Sequence, residues 1–223
     1  MIEINKLLTA DELKGISTLV SNASWNPGAH SAGANAEKQK NNQEMDQSCA
    51  SWETINALVV GRLYQHPQFQ NAALPSKVSA AFISRYTNGM SYGPHIDNPV
   101  MGTPGAQYRS DIACTIFLSE PDDYEGGELN IHTDFGPVKV KLNAGSAVVY
   151  PASSVHEVLP VTSGKRIVCA LWAQSLIADA HQREILAELA DARAALQLRL
   201  PDAQVTQSVD HAYLNLIRMW AAV

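Results

Sequence analysis

Apolar residues change their spacing twice along the chain. Near the start, Leu13, Ile16 and Val20 recur at helical intervals behind Thr9-Ala-Asp-Glu12. That tetrad is a capping box, and it predicts a helix opening there. Residues 21–48 are polar with little periodicity, so they read as loop with room for one edge strand. Ile55, Leu58, Val59 and Leu63 predict a second helix across 50–64. His66-Pro67 ends it, because the residue before proline avoids helical backbone.

From about residue 77 the runs become short and β-rich. Residues 78–86, 112–118, 127–132, 138–142, 147–150 and 167–172 read as strands. Turn chemistry separates them: Thr87-Asn-Gly-Met90, Pro121-Asp-Asp, Gly126-Gly127, Asp134-Phe-Gly-Pro137 and Asn143-Ala-Gly145. Many short strands joined in this way predict a sandwich or barrel. After Trp172 helical spacing returns. Ile185, Leu189, Ala192, Leu196 and Leu200 form one stripe, Pro201-Asp202 breaks it, and Val209, Tyr213, Leu216 and Trp220 form a second. The expected organisation is a mainly β unit with N-terminal helices over 1–176 and a helical hairpin over 177–223. The hairpin is too short to fold well alone. It is expected on the outer face of the β-core, either helping to form a homo-oligomer contact anchored by Tyr213 and Trp220 or packing only within the chain.

Composition excludes several functions. The formal net charge is −6, so there is no basic footprint for nucleic acid or an anionic membrane. Cys49, Cys114 and Cys169 are an odd number without CxxC, which argues against a disulfide scaffold or a cysteine zinc site. Cys114 and Cys169 lie in apolar runs and read as small core residues. No apolar run approaches the ~18 residues needed to cross a bilayer. No basic segment followed by an apolar one opens the chain, and a cytoplasmic location is expected.

Among seven histidines, His30, His66, His181 and His211 have no partner at ligand spacing and read as surface or capping residues. His95-Ile96-Asp97 differs. On a strand, residues i and i+2 share a face, and an imidazole and a carboxylate there can hold one metal. Chance supplies about a third of such a motif in this composition, so context decides. A second copy, His132-Thr133-Asp134, leads into a turn and reads as an Asx-turn. For the first copy a third ligand is available at His156, and Arg166 follows ten residues later. Two histidines and one carboxylate are the facial triad of non-haem Fe(II) oxygenases. Such a triad leaves room for a bidentate 2-oxo acid and O₂, and Arg166 suits the acid's far carboxylate.

Four stretches carry a resemblance. They are Arg85-Tyr-Thr-Asn-Gly-Met-Ser-Tyr-Gly-Pro-His-Ile-Asp97, Tyr124-Glu-Gly-Gly-Glu-Leu129, Tyr150-Pro-Ala-Ser-Ser-Val-His-Glu-Val158, and Arg166. Together they resemble the prolyl/lysyl hydroxylase-like Fe(II)/2-oxoglutarate dioxygenases. With Lys40-Asn-Asn-Gln43 and the helical tail, the chain is similar to the bacterial PKHD-type hydroxylases. The resemblance implies a double-stranded β-helix, or jelly roll. It implies His95, Asp97 and His156 as ligands of Fe(2+), Arg166 as anchor of 2-oxoglutarate, and Tyr86 as a hydrogen-bond partner of that cosubstrate. It also implies O₂ as oxidant, L-ascorbate as the reductant that rescues over-oxidised iron, and hydroxylation of a small molecule or peptide, with a link to iron uptake. Relatives often place a second cosubstrate tyrosine on the strand after the HxD loop; here that stretch reads Thr115-Ile-Phe-Leu118.

The remaining candidates have plainer readings. Gly126-Gly127 suits a tight turn ahead of a direct ligand role, and Trp172 suits the core ahead of a wall for the substrate. Tyr92 either lines the pocket or packs, and Arg109 and Asp111 touch substrate or pair at the surface. Two rival functions keep the same fold: a non-catalytic 2-oxoglutarate, iron or oxygen sensor, and a cupin-like metal-binding module. The complete His/Asp/His/Arg set argues against both.

Overall fold

The computed structural model describes residues 1–31 and 37–222. Residues 32–36, part of the stretch read as loop, lie outside the described residues. The chain opens with β1 (Ile2–Ile4) and α1 (Ala10–Ser21), then β2 (Trp25–Pro27), β3 (Lys40–Asn41) and β4 (Gln43–Met45). Helices α2 (Ala50–Gln65) and α3 (Pro67–Ala73) lead into β5 (Pro75–Val78), β6 (Phe82–Thr87) and β7 (Ser91–His95). A small hairpin, β8 (Val100–Met101) and β9 (Tyr108–Arg109), precedes β10 (Ile112–Phe117) and β11 (Tyr124–Gly126). There follow β12 (Leu129–Thr133), β13 (Gly136–Val140), β14 (Ala147–Pro151), β15 (His156–Val158) and the long β16 (Val161–Ser175). Helices α4 (Ala180–Arg199) and α5 (Gln204–Trp220) complete the chain.

The strands form two facing antiparallel sheets, the jelly-roll core that was expected, without closing into a barrel. The larger sheet runs β1-β14-β10-β16-β6-β4-β2, with β5 and β11 also on β16. The smaller runs β13-β12-β15-β7-β3. Helices cover the outer face of the larger sheet, where Ile16, Ile55, Leu63 and Phe69 meet Ile83, Cys169 and Leu171. Between the sheets lie Phe117, Leu129, Ile131, Val148, Val158 and Val168. The larger sheet is thus buried on both faces. This is why β10 reads as an unbroken apolar run rather than an alternation: all six of its residues are buried.

Several local expectations hold. The Thr9–Glu12 capping box is present in both directions, and Cys114 and Cys169 are buried in the core. Others need correction. The stretch 21–48 contains three short strands, not one; their partly exposed polar side chains leave no alternation to read. Pro67 not only ends α2 but opens α3 at its first turn, where a missing N–H costs nothing. The strand expected over 78–86 is interrupted at residues 79–81, where pairing with β16 shifts register by one.

The tail is a helical hairpin, as expected, but it seats on α3 and on Leu176 and Ile177 just after β16 rather than on a sheet face. Its buried stripe on α4 is Arg183, Leu186 and Ala190; Ile185 and Leu200 face solvent. Arg183 occupies an inward position because its guanidinium donates to the Ile177 and Ala178 carbonyls at 2.8 Å each. Tyr213, expected as an anchor between copies, is instead buried inside the hairpin, with the Arg193 guanidinium 5.0 Å from its ring. Trp220 is half-buried against the same cluster.

Candidate active site

His95 ends β7 and His156 begins β15, and the two are register partners across that antiparallel pair. Pairing therefore sets their imidazoles side by side, with ring centroids 4.3 Å apart. The Nδ1 atom of His95 lies 2.8 Å from the Gly93 carbonyl, and that of His156 lies 3.0 Å from the Ser154 carbonyl. A carbonyl only accepts, so each Nδ1 carries the proton and each Nε2 presents a lone pair. Both Nε2 atoms face Asp97 Oδ1, at 3.9 Å from His95 and 3.7 Å from His156. Among the described residues this is the one His/Cys/Asp/Glu group that converges in this way, with its ligand atoms within 4.8 Å of one another.

Strand alternation explains only part of this. Asp97 lies two residues beyond the end of β7, so its placement needs another cause. That cause is Trp172, whose indole N–H donates to Asp97 Oδ2 at 2.8 Å. The bond fixes one carboxylate oxygen and leaves the other toward the histidines. Trp172 thus packs, lines the cavity and holds Asp97.

Burial, and next the neighbouring His156, push His95 down to about 4. His95 is consequently neutral at pH 7, the form that a metal ligand requires. Tyr92 does both things expected of it. It lines the cavity and stacks on His95, with centroids 3.6 Å apart and planes at 16°. Tyr150 closes the other side, with its ring edge-on to His156 at 5.3 Å.

Arg166 enters the same cavity from β16, beside its cross-strand partner Tyr86. It is 1% exposed, and its Nε and Nη1 have no hydrogen-bond partner among the described residues. The guanidinium carbon stands 5.0 Å from the Tyr86 ring and 5.7 Å from the Phe117 ring. A buried cation without an anion is unfavourable unless a ligand supplies one. Gly126 and Gly127 make the expected tight turn, at φ of +69° and +65°. A Cβ on Gly127 would also fall 3.1 Å from Arg166 Cδ, so glycine is what lets the turn approach the arginine stem.

The cavity holding these groups measures about 680 Å³. Its donor set fits the implied groups: two imidazole nitrogens and one carboxylate oxygen for iron, and a buried guanidinium for a dicarboxylate. Other candidates lie elsewhere. The His132 Nε2 points to Glu157 at 3.7 Å, and the Thr133 hydroxyl, not Asp134, organises the following turn by donating to the Gly136 carbonyl. Arg109 and Asp111 pair with each other, and Asp111 also accepts from the Ser175 N–H, tying the β8–β9 hairpin to β16.

Residues 81–174 match the 2OG-Fe(II) oxygenase superfamily. A PKHD-type hydroxylase of Thioalkalivibrio sulfidiphilus is 48% identical over 223 residues, covering 100% of both chains. The chain belongs to the PKHD-type hydroxylases. A second relative, from a Polaromonas species, is 40% identical over 224 residues, with 99% of each chain covered. A solved Pseudomonas putida prolyl-4-hydroxylase shares the fold at a TM-score of 0.54 and 19% identity, over 78% of this chain and 91% of that one. This hydroxylase thus carries the family's iron and 2-oxoglutarate chemistry. His95, Asp97, His156, Arg166, Tyr86 and Trp172 all fall inside the matched segment, whereas β3 and β4 precede it.

Proposed function

We propose that this hydroxylase uses His95, Asp97 and His156 to hold Fe(2+), and Arg166 with Tyr86 to bind the distal carboxylate of 2-oxoglutarate. One observation carries the reading: two tautomer-fixed imidazoles and one free carboxylate oxygen share a cavity with a buried, unpaired guanidinium. When bound, the iron supplies the oxidation, in which 2-oxoglutarate, O₂ and a substrate C–H give succinate, CO₂ and a C–OH.

The chain's own residues bind and orient. The Gly93 and Ser154 carbonyls keep both histidines in the ligating tautomer. Trp172 holds Asp97 by one oxygen. Arg166 offers the cosubstrate a planar fork in a buried position, where a charge-assisted pair is strongest. Tyr92 shields one face of His95 from water. L-ascorbate is assigned as the reductant that returns over-oxidised iron to the ferrous state. The substrate is a small molecule or peptide side chain that enters the cavity lined by Ile96, Val100 and Tyr108. Three free cysteines suit a reducing cytoplasm.

The test is succinate formation from 2-oxoglutarate with and without Fe(II), together with 2-oxoglutarate binding under nitrogen. Iron-dependent succinate supports the reading. Binding without succinate would favour the sensor, and neither would remove 2-oxoglutarate from the site.

A further inference from the structure

Seven buried side-chain nitrogen and oxygen atoms lack a partner among the described residues, and five belong to three residues: Asn42, Tyr124 and Arg166. These three are 5%, 3% and 1% exposed. Buried polar groups are rarely left unpaired, and a cluster of them points to a missing ligand.

The strand register shows why they gather. Gln43 pairs with Arg85 and Glu44 with Ser84, so one step back along the ladder puts Asn42 opposite Tyr86. Tyr86 pairs with Arg166 on the next strand. Tyr124 pairs with Gly164, two residues before Arg166, and so lies diagonal to it. Asn42, Tyr86, Arg166 and Tyr124 therefore make one row across the inner face, from the edge of β4 to β11. Gly28 closes the row from behind. Its N–H donates to the Asn42 carbonyl at 2.9 Å, and a Cβ there would fall 1.8 Å from Asn42 Oδ1. At the other end, a Cβ on Gly127 would lie 3.3 Å from Tyr124 Cδ2 and 3.1 Å from Arg166 Cδ, so the glycine lets ring and arginine converge. Phe117, also beside the guanidinium, brings no hydroxyl.

We propose that Asn42 and Tyr124 are positioning residues of the cosubstrate site. Once 2-oxoglutarate is bound, the Asn42 amide donates to the Tyr86 oxygen and turns the Tyr86 O–H toward the distal carboxylate, and the Tyr124 hydroxyl accepts from the Arg166 guanidinium and fixes its fork. The inference rests on the reading of the cavity as a 2-oxoglutarate site. It adds to that site a side chain from outside the matched oxygenase segment, contributed by the Lys40-Asn-Asn-Gln43 stretch.

The experiment is calorimetric titration of 2-oxoglutarate, and of 2-oxobutyrate, into the full-length Mn(2+)-loaded protein under nitrogen. The two acids share the 2-oxo acid end, but 2-oxobutyrate lacks the distal carboxylate. Asn42→Ala and Tyr124→Phe are each expected to weaken 2-oxoglutarate binding about three- to tenfold. Affinity for 2-oxobutyrate is expected to stay within twofold. The ligand-free variants should melt at the wild-type temperature or above it, because each loses an unpaired buried group. Unchanged 2-oxoglutarate affinity in both variants overturns the proposal. Equal losses for the two acids with a lowered melting temperature also overturn it, by showing a purely structural role. A wild-type protein that binds 2-oxobutyrate and 2-oxoglutarate equally overturns the distal-carboxylate site itself, and a wild-type protein that binds neither overturns the cosubstrate reading as a whole.

Discussion

The indole of Trp172 donates to one oxygen of Asp97, and the other oxygen faces two histidines. A group that orients a metal ligand typically contributes about 10- to 100-fold to metal affinity. Trp172→Phe keeps the ring packing, including the edge contact with Phe82 at 5.4 Å, and removes only the donor. It is expected to weaken Mn(2+) binding by about that factor. Excess iron should then restore most of the succinate formation. Metal affinity equal to wild type would show that Asp97 is positioned by other contacts.

His95→Ala, Asp97→Ala and His156→Ala should each abolish iron-dependent succinate formation while the protein remains folded. The three lie at a strand end, just beyond it and at a strand start, and the hydrophobic clusters do not depend on them. His132→Ala should stay active, since its ring contacts Glu157 and none of the triad. Wild-type succinate production in one of the first three would remove that residue from the site.

Arg166→Ala should raise the 2-oxoglutarate requirement far more than the iron requirement. Loss of a buried charge partner costs about 2–5 kcal/mol, or roughly 30-fold to several thousand-fold. Arg166→Lys should recover only part, because an ammonium lacks the planar fork. The ratio of the two apparent constants, measured in each variant, decides the matter, and an unmoved 2-oxoglutarate requirement would put the anchor elsewhere.

His95 makes the stability of the metal-free protein depend on pH. Its ordinary value is 6.5, and burial, aided by His156, takes the folded value down to about 4. Between these values the unfolded chain binds more protons than the folded one. The contribution is therefore fully present above pH 6.5 and is lost as pH falls toward 4. Melting temperatures of metal-free protein should decline across that window, and His95→Gln should flatten the decline. An equally steep decline in His95→Gln would assign it to another group.

That His95, Asp97, His156 and Arg166 come together in one cavity was legible, because residue type and short spacing already grouped them. The sheets were legible where apolar runs met Gly, Pro and Asp turns. What escaped notice depends on register. Trp172 meets Asp97 from 75 positions away, and Asn42 meets Tyr86 only because β4 pairs with β6 as it does. No local pattern encodes such pairings. Helix α3 has seven residues, too few to show a helical stripe. On α4 the buried arginine hid the true face: Arg183 satisfies two carbonyls from an inward position that a hydrophobic pattern assigns to an apolar residue.

Arg166 and Trp172 stand six residues apart on one unbroken strand, β16. A strand advances about 3.3 Å per residue and alternates its faces, so six steps return to the same side with a separation of about 20 Å. Their relative placement is therefore set by the strand itself, with both side chains on the cavity side. A single inserted residue between them would turn one of them out of the cavity, and two would move them apart by about 7 Å.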